Sequence, residues 1–372
     1  MDRATAPDIT KCFKDGLGTI PMSKVQQISM NGPNVNHRFY NDLKNKLCMC
    51  VGEPSLIDTG TCGLHVVSGA FQNGNRVVKW EINTFLRSLY WLLKDTPSRR
   101  ASYTELTGSK MWPLKFCIVR WVENGKVAER AIAMFPFLRK WFENIKSPPQ
   151  SLTYDTVRKA VMDDELFLAK LNFFLWICGQ LEPFLTQFQT PMPVFPMLYE
   201  SLMKLLQTLM GYYIKREVLA AANSHTKLVD LHENLKDEQM LTTVELGFGS
   251  RTALKDPKFS QLLRVGFLVD CRKFLRAVVA KIMERAPIRY KFVKSSSALS
   301  PTLISSSPSL VRSRMDGLLT ILIERNRIST IQADKVKAQF DDFCSDSTVI
   351  GSLGYFKCQN SWLDEYEIVG GP

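Results

Sequence analysis

Ser29-Met30-Asn31-Gly32-Pro33-Asn34-Val35-Asn36 joins two stretches of different period, and its reading decides the fold expected of this chain. Upstream, Lys24-Val25-Gln26-Gln27-Ile28-Ser29-Met30 alternates and carries β-branched residues, the pattern of a short strand. Downstream, residues 35–47 are amphipathic with helical spacing. A strand, a loop and a helix in that order place Asn31 at a strand's carboxyl end, where α/β sheets hold ligands and catalytic groups. Asn31 is a neutral amide, which hydrogen-bonds but lacks the charge by which a carboxylate holds a divalent metal. A second strand at 56–62, before a helix at 64–71, would complete a βαβ unit. Parallel sheets have more strands than two, so this pair is expected to lean on helices or on another chain, and this end to be the least stable.

The remainder reads as helix. Val77, Trp80, Phe85, Leu89, Leu92 and Leu93 form a stripe of roughly helical period that Pro97 ends or bends. Further helices are expected at 127–145, 155–163, 164–187, 195–221 and 258–286, with Pro191, Pro193 and Pro196 as a stiff connector. The Ser/Pro-rich residues 295–309 read as a linker. Two helices follow, at 309–324 and 332–343, and the glycine-rich end is expected to fray. No fixed-period repeat occurs, which favours a bundle over a solenoid.

With 372 residues the chain can bury a sizeable core; 45% hydrophobic and 23% charged residues suit a folded protein rather than a disordered one. A net charge of +12 favours polyanions such as nucleic acid. Nine scattered cysteines, without framework spacing, suit reduced thiols inside the cell. Met1-Asp2-Arg3 leads into polar sequence, so no signal peptide is expected. The most apolar stretch, 166–179, is broken by Lys170 and Asn172, and no membrane partner is expected.

Several segments, taken in order, resemble the ribonuclease-H-like transposases of the hAT superfamily in their cellular, transposon-derived form. The octapeptide is similar to the family segment in which the second metal-binding Asp closes a strand. Cys62-Gly63-Leu64-His65 is like the family's Cys-x-x-His, Arg120-Trp121 like its Arg-Trp, and the helical stretch that follows like its insertion domain. The resemblance implies a fold that is mostly α with a small α/β part: a truncated ribonuclease-H-like remnant of two short parallel strands at 1–75, a helical insertion-type domain at 76–294, the linker 295–309, C-terminal helices at 310–350 and a disordered tail at 351–372. It also implies a nuclear protein. Such transposases hold two divalent metals on three carboxylates. Here the first Asp has no counterpart, the second is matched by Asn31, and no Ser-Glu-Arg-x-Phe-Ser segment supplies the Glu. The expectation is an inactive remnant with no catalytic residue and no cofactor.

Candidate sites outside that comparison are few. Cys62 and His65, with Cys48 and Cys50, would give four zinc ligands, but Cys-x-Cys is tighter than the usual pair spacing, and Cys62 packing as a small hydrophobe is the simpler reading. Arg120-Trp121 reads either as a nucleic-acid contact or as a core tryptophan whose arginine reaches Glu123 or Glu129. Residues 251–294 hold twelve Lys or Arg against three Asp or Glu. Within them Arg272, Lys273 and Arg276 are expected on the solvated face of a helix, and Arg289, Lys291 and Lys294 extend the charge; this strip is the candidate for non-specific DNA. The alternatives are a protein partner or homo-oligomer, or a decaying transposon copy with no selected role. A residual nuclease would need acids near Asn31, and Asp58 alone is not a metal pair. No phosphate-binding Gly-rich loop, nucleophile elbow or His-Glu-x-x-His is present.

Overall fold

The computed structural model describes residues 5–28, 30, 34–48, 55–190 and 194–355. Among them the chain is all helical, running α1 (Ala6–Leu17), α2 (Asn34–Cys48), α3 (Gly63–Val78), α4 (Ile82–Leu93), α5 (Pro97–Thr107), α6 (Gly125–Asn144), α7 (Leu152–Arg158), α8 (Phe167–Phe188) and α9 (Leu198–Gly211). There follow α10 (Arg216–Ala221), α11 (His225–Glu233), α12 (Gly247–Ala253), α13 (Gln261–Arg285), α14 (Lys291–Ser296), α15 (Pro301–Ser306), α16 (Pro308–Glu324), α17 (Thr330–Phe343) and α18 (Ser347–Tyr355). The chain divides into two compact units, one of residues 1–66, 187–204 and 285–372, the other of 67–186 and 205–284. Among the described residues no helix is long and apolar enough to cross a membrane.

The expected ribonuclease-H-like strands do not form. No β-strand occurs among the described residues, and the one isolated bridge pairs Ile214 with Met240. Residues 25–28 have no regular secondary structure after a 3-10 turn at Met22–Lys24, and among the described residues two single bonds join residues 25–30 to the 56–62 segment: Ile57 N–H to Gln26 C=O at 2.8 Å and Cys62 N–H to Met30 C=O at 3.3 Å. The physical reason lies in what surrounds this segment. Val25, Ile28 and Met30, the alternating apolar positions, pack on a cluster built by Ala6, Phe39, Leu43 and Leu56, so α1 and α2 satisfy the pattern that a sheet face would have. Three backbone carbonyls here, those of Ser23, Val25 and Ser55, are taken by an arginine. Arg327 donates from Nη1 to Ser23 C=O (2.7 Å), from Nη2 to Val25 and Ser55 C=O (2.7 Å each) and from Nε to Ser55 C=O (3.1 Å).

The Ser/Pro-rich stretch is likewise no linker. Pro301 and Pro308 stand at the first turns of α15 and α16, where a missing N–H costs nothing. Ser295, Ser296, Ser297 and Ser300 are buried. Two of their hydroxyls donate to helical carbonyls, Ser296 to Phe292 and Ser297 to Lys294, each at 2.7 Å. A serine that satisfies itself on its own helix can be buried without an orphaned polar atom. Arg314, 9% exposed, sits beside them, bonded to Ser297 and paired with Glu200 at 2.6 Å. Ala298 and Ile304 join Val311, Met315 and Phe340 in this unit's second core cluster. Of the expected tail, residues 351–355 belong to α18 and the rest lies outside the described residues. Pro191 and Pro193 of the expected connector also lie outside them.

The other unit is organised around aromatic rings. Trp80 stacks on Phe267 (5.5 Å, 9°), meets Phe173 edge-on (5.6 Å) and lies over Phe274 (6.2 Å, 19°). The stripe read across 77–93 breaks here. α3 ends at Val78, α4 starts at Ile82, and Lys79 and Glu81 on either side of Trp80 take left-handed dihedrals, with φ of 54° each. That turn drives Trp80 into the core and leaves Val77, counted in the stripe, 46% exposed. Gly74 permits the close approach of α3 to α13, since a Cβ there would lie 2.7 Å from Val278 Cγ2. A second group joins Trp141, Tyr103 and Tyr154, and the Trp141 indole N–H donates to Ser102 Oγ at 3.1 Å.

Candidate ligand-binding site

Asn31 lies outside the described residues, as do the side chains of Cys48 and Cys50. Asp58, the nearby acid, is engaged: Tyr40 Oη donates to it at 2.7 Å and Lys44 Nζ at 2.6 Å. Burial works to raise its carboxyl, but the Lys44 and Tyr40 hydrogen bonds with the Lys44 and Arg325 charges outweigh that and hold it below the usual carboxylate range. Cys62 is half-buried and its carbonyl accepts the Val66 N–H at the start of α3, whereas His65 is exposed in the first turn. Among the described residues no three His, Cys, Asp or Glu side chains gather as a metal-binding group.

Arg120 and Trp121 are set by a residue that no motif in the sequence singles out. Asn124 is fully buried. Its Oδ1 accepts the Cys117 N–H (2.7 Å), and its Nδ2 donates to the carbonyls of Cys117 (2.9 Å), Trp121 (3.0 Å) and Arg120 (3.2 Å). This clamp closes the loop that carries the Arg-Trp pair. Arg120 is exposed and pairs with Glu123 at 3.2 Å, while Trp121 is 7% exposed. The arrangement is that of a core tryptophan with a solvated arginine.

The basic strip divides between the two units. On α13, Lys273 and Arg276 are exposed, and Lys273 stands 3.8 Å from Asp270. Arg272 departs from the expected solvated face. It is half-buried, its Nη2 donates to Leu241 C=O at 2.9 Å, and its Nε is buried without a partner, because the segment around Leu241 covers that side of α13. In the other unit Arg289, Lys291 and Lys294 are all exposed. Arg289 lies over the Tyr290 ring at 5.3 Å and Lys294 over that of Tyr199 at 6.0 Å.

A concavity of about 740 Å³, in the unit of 67–186 and 205–284, had no counterpart among the sites expected from sequence. Its cations are Arg76, Lys79 and Lys281; its amides are Gln72, Asn73, Asn75 and Asn83; Glu81 supplies the one carboxylate, and Trp121 part of the wall. The sequence signal was present on α3. Gln72, Asn73 and Arg76 recur at helical spacing, but the helix expected at 64–71 stopped short of them.

His225 and His232 belong to the same unit. Burial lowers the affinity of both for a proton, and for His232 the Arg276 charge adds to it. Tyr213 Oη and His232 Nδ1 are 3.2 Å apart. A histidine with a depressed folded-state pKa supports the fold while neutral and loses that support as pH falls below its unfolded value, about 6.5. The midpoint of thermal unfolding is therefore expected to drop between pH 7 and 5, and His232→Gln to flatten the drop; an unchanged slope in the variant would remove His232 from the effect.

Comparison with protein families, curated proteins and solved structures finds no match for the chain.

Proposed function

We propose that the chain is a non-catalytic nucleic-acid-binding protein of the nucleus, descended from a hAT transposase. The observation that carries this reading is the exposure of Lys273 and Arg276 on one face of α13, in a chain of net charge +12. Cations three apart on a helix follow a phosphate backbone without reading bases. The Cys62-to-His65 and Arg120-Trp121 segments support the descent. The experiment is electrophoretic retardation of double-stranded DNA by the full chain and by Lys273→Ala/Arg276→Ala at low salt. The double variant is expected to bind roughly tenfold more weakly on every sequence tried, because fewer phosphates are neutralised. Equal binding by both proteins would take the DNA interface away from α13.

A protein-docking role is the second reading, and one feature favours it. Leu262 (81% exposed), Val265 and Val269 recur at helical spacing on the outer face of α13, and Phe248 of α12 is 77% exposed. Apolar residues in such a run serve protein contacts, which salt weakens little.

A further inference from the structure

We propose that the concavity between α3, the start of α4, Trp121 and α13 is a binding site for a small phosphorylated polyol. Its cations and amides are arranged for two different jobs. Arg76 is held by its neighbour, Nη2 donating to Asn73 Oδ1 at 2.9 Å, while Asn73 Nδ2 is itself anchored to the Ala277 carbonyl of α13 at 3.3 Å. Lys281 is steadied by Glu284 at 2.8 Å. Lys79 has no ion pair among the described residues and belongs to the lining. Three cations on one concave surface form the receptor for a phosphate: a guanidinium offers a planar fork and the ammonium groups point charges.

The side chains of Gln72 and Asn83 make no hydrogen bond among the described residues, and each offers both a donor and an acceptor, the pairing that a hydroxyl requires. Glu81, kept in place by the Thr84 hydroxyl at 2.7 Å, adds an acceptor. Among the described residues, two buried polar atoms of lining residues, Asn75 Oδ1 and Trp121 Nε1, have no hydrogen-bond partner, whereas the buried amide of Asn124 is fully bonded. Left-handed dihedrals at two non-glycine residues, Lys79 and Glu81, mark the same rim, and such strain gathers at ligand sites. The volume, about 740 Å³, lies in the range of small-molecule sites.

The chemistry favours a hydroxyl-bearing phosphate over a nucleobase. Bases are held on exposed aromatic faces, and the one aromatic ring in the lining, Trp121, is 7% exposed. The site is also separate in its residues from Lys273 and Arg276, so it stands or falls apart from the DNA reading.

The test is calorimetric titration of the full chain with fructose bisphosphate, fructose, inorganic phosphate and a single-stranded oligonucleotide, at low salt. The variants are Arg76→Gln/Lys79→Gln, Gln72→Ala/Asn83→Ala and Lys273→Ala/Arg276→Ala, each checked for an unchanged thermal midpoint. Fructose bisphosphate is expected to bind, and fructose not. The charge variant should weaken that binding at least tenfold. The amide variant should weaken it several-fold while leaving inorganic phosphate unchanged, and the α13 variant should have no effect. Absence of fructose bisphosphate binding overturns the proposal, as does binding that the charge and amide variants leave untouched. An oligonucleotide that loses affinity in the charge variant, while the sugar phosphate fails to bind, would give the concavity to a nucleic-acid backbone instead.

Discussion

Trp80→Ala is expected to cost about 3–5 kcal/mol, the range for removing a large aromatic side chain from a packed core. Trp80 is 5% exposed and packs against Phe173, Phe267 and Phe274, so its loss leaves rings of α8 and α13 facing a void. The surroundings cannot collapse easily, because Phe274 and Phe173 also pack on each other (5.4 Å) and Phe274 on Phe71 (5.8 Å). Its indole N–H reaches Asp270 Oδ2 at 3.5 Å, a long approach that adds little beside the packing. Trp80→Phe should therefore recover most of the loss. Denaturant unfolding, followed by hydrogen exchange of the α3, α8 and α13 amides, reads the effect helix by helix; a midpoint for Trp80→Ala equal to that of the native chain would refute this packing.

Arg327→Met is expected to destabilise the other unit by about 2–4 kcal/mol. The guanidinium holds carbonyls of Ser23, Val25 and Ser55 that no sheet ladder satisfies. Methionine keeps the bulk of the stem and removes all of these donors, leaving the carbonyls to find water in a part-buried place. Burial pulls the Arg327 affinity for its proton down, yet a guanidinium starts so high that it stays charged. Arg327→Lys should rescue little, since one compact ammonium cannot span three separated carbonyls. The measurement is exchange of the Ile57 amide, whose bond to Gln26 depends on the two segments staying together. Faster exchange there in both variants is the expected result; protection unchanged in Arg327→Met would mean that the segments are held by the apolar cluster alone.

Arg327 also explains why the fold was only partly legible. The helices α4, α6, α8, α13, α16 and α17 follow apolar periods that the sequence displays openly, and α1 carries its own capping box between Thr5 and Asp8. The alternation at 24–30 is equally visible, but period two reports only that successive side chains face opposite ways. Whether a strand forms depends on a partner for its backbone. That partner is an arginine some three hundred residues away, which no local pattern announces. The serine-rich stretch hides its structure for a similar reason: its composition is that of a loop, while its burial rests on the Ser296 and Ser297 hydroxyls finding carbonyls one turn back. At the sites, Lys273 and Arg276 were legible from helical phase, whereas Arg272 was not, because the chain at Leu241 that covers it is distant in sequence. The concavity could not be read from any one segment, since it draws on α3, α4, α13 and the Trp121 loop together.

The slope of DNA affinity against salt concentration bears most directly on the proposed function. For the native chain the logarithm of the binding constant should fall linearly with the logarithm of salt. Lys273→Ala/Arg276→Ala should reduce that slope by roughly two, about 0.9 for each phosphate that is no longer neutralised. A chain that binds no DNA at low salt, or whose slope is the same with and without those two cations, would contradict the account.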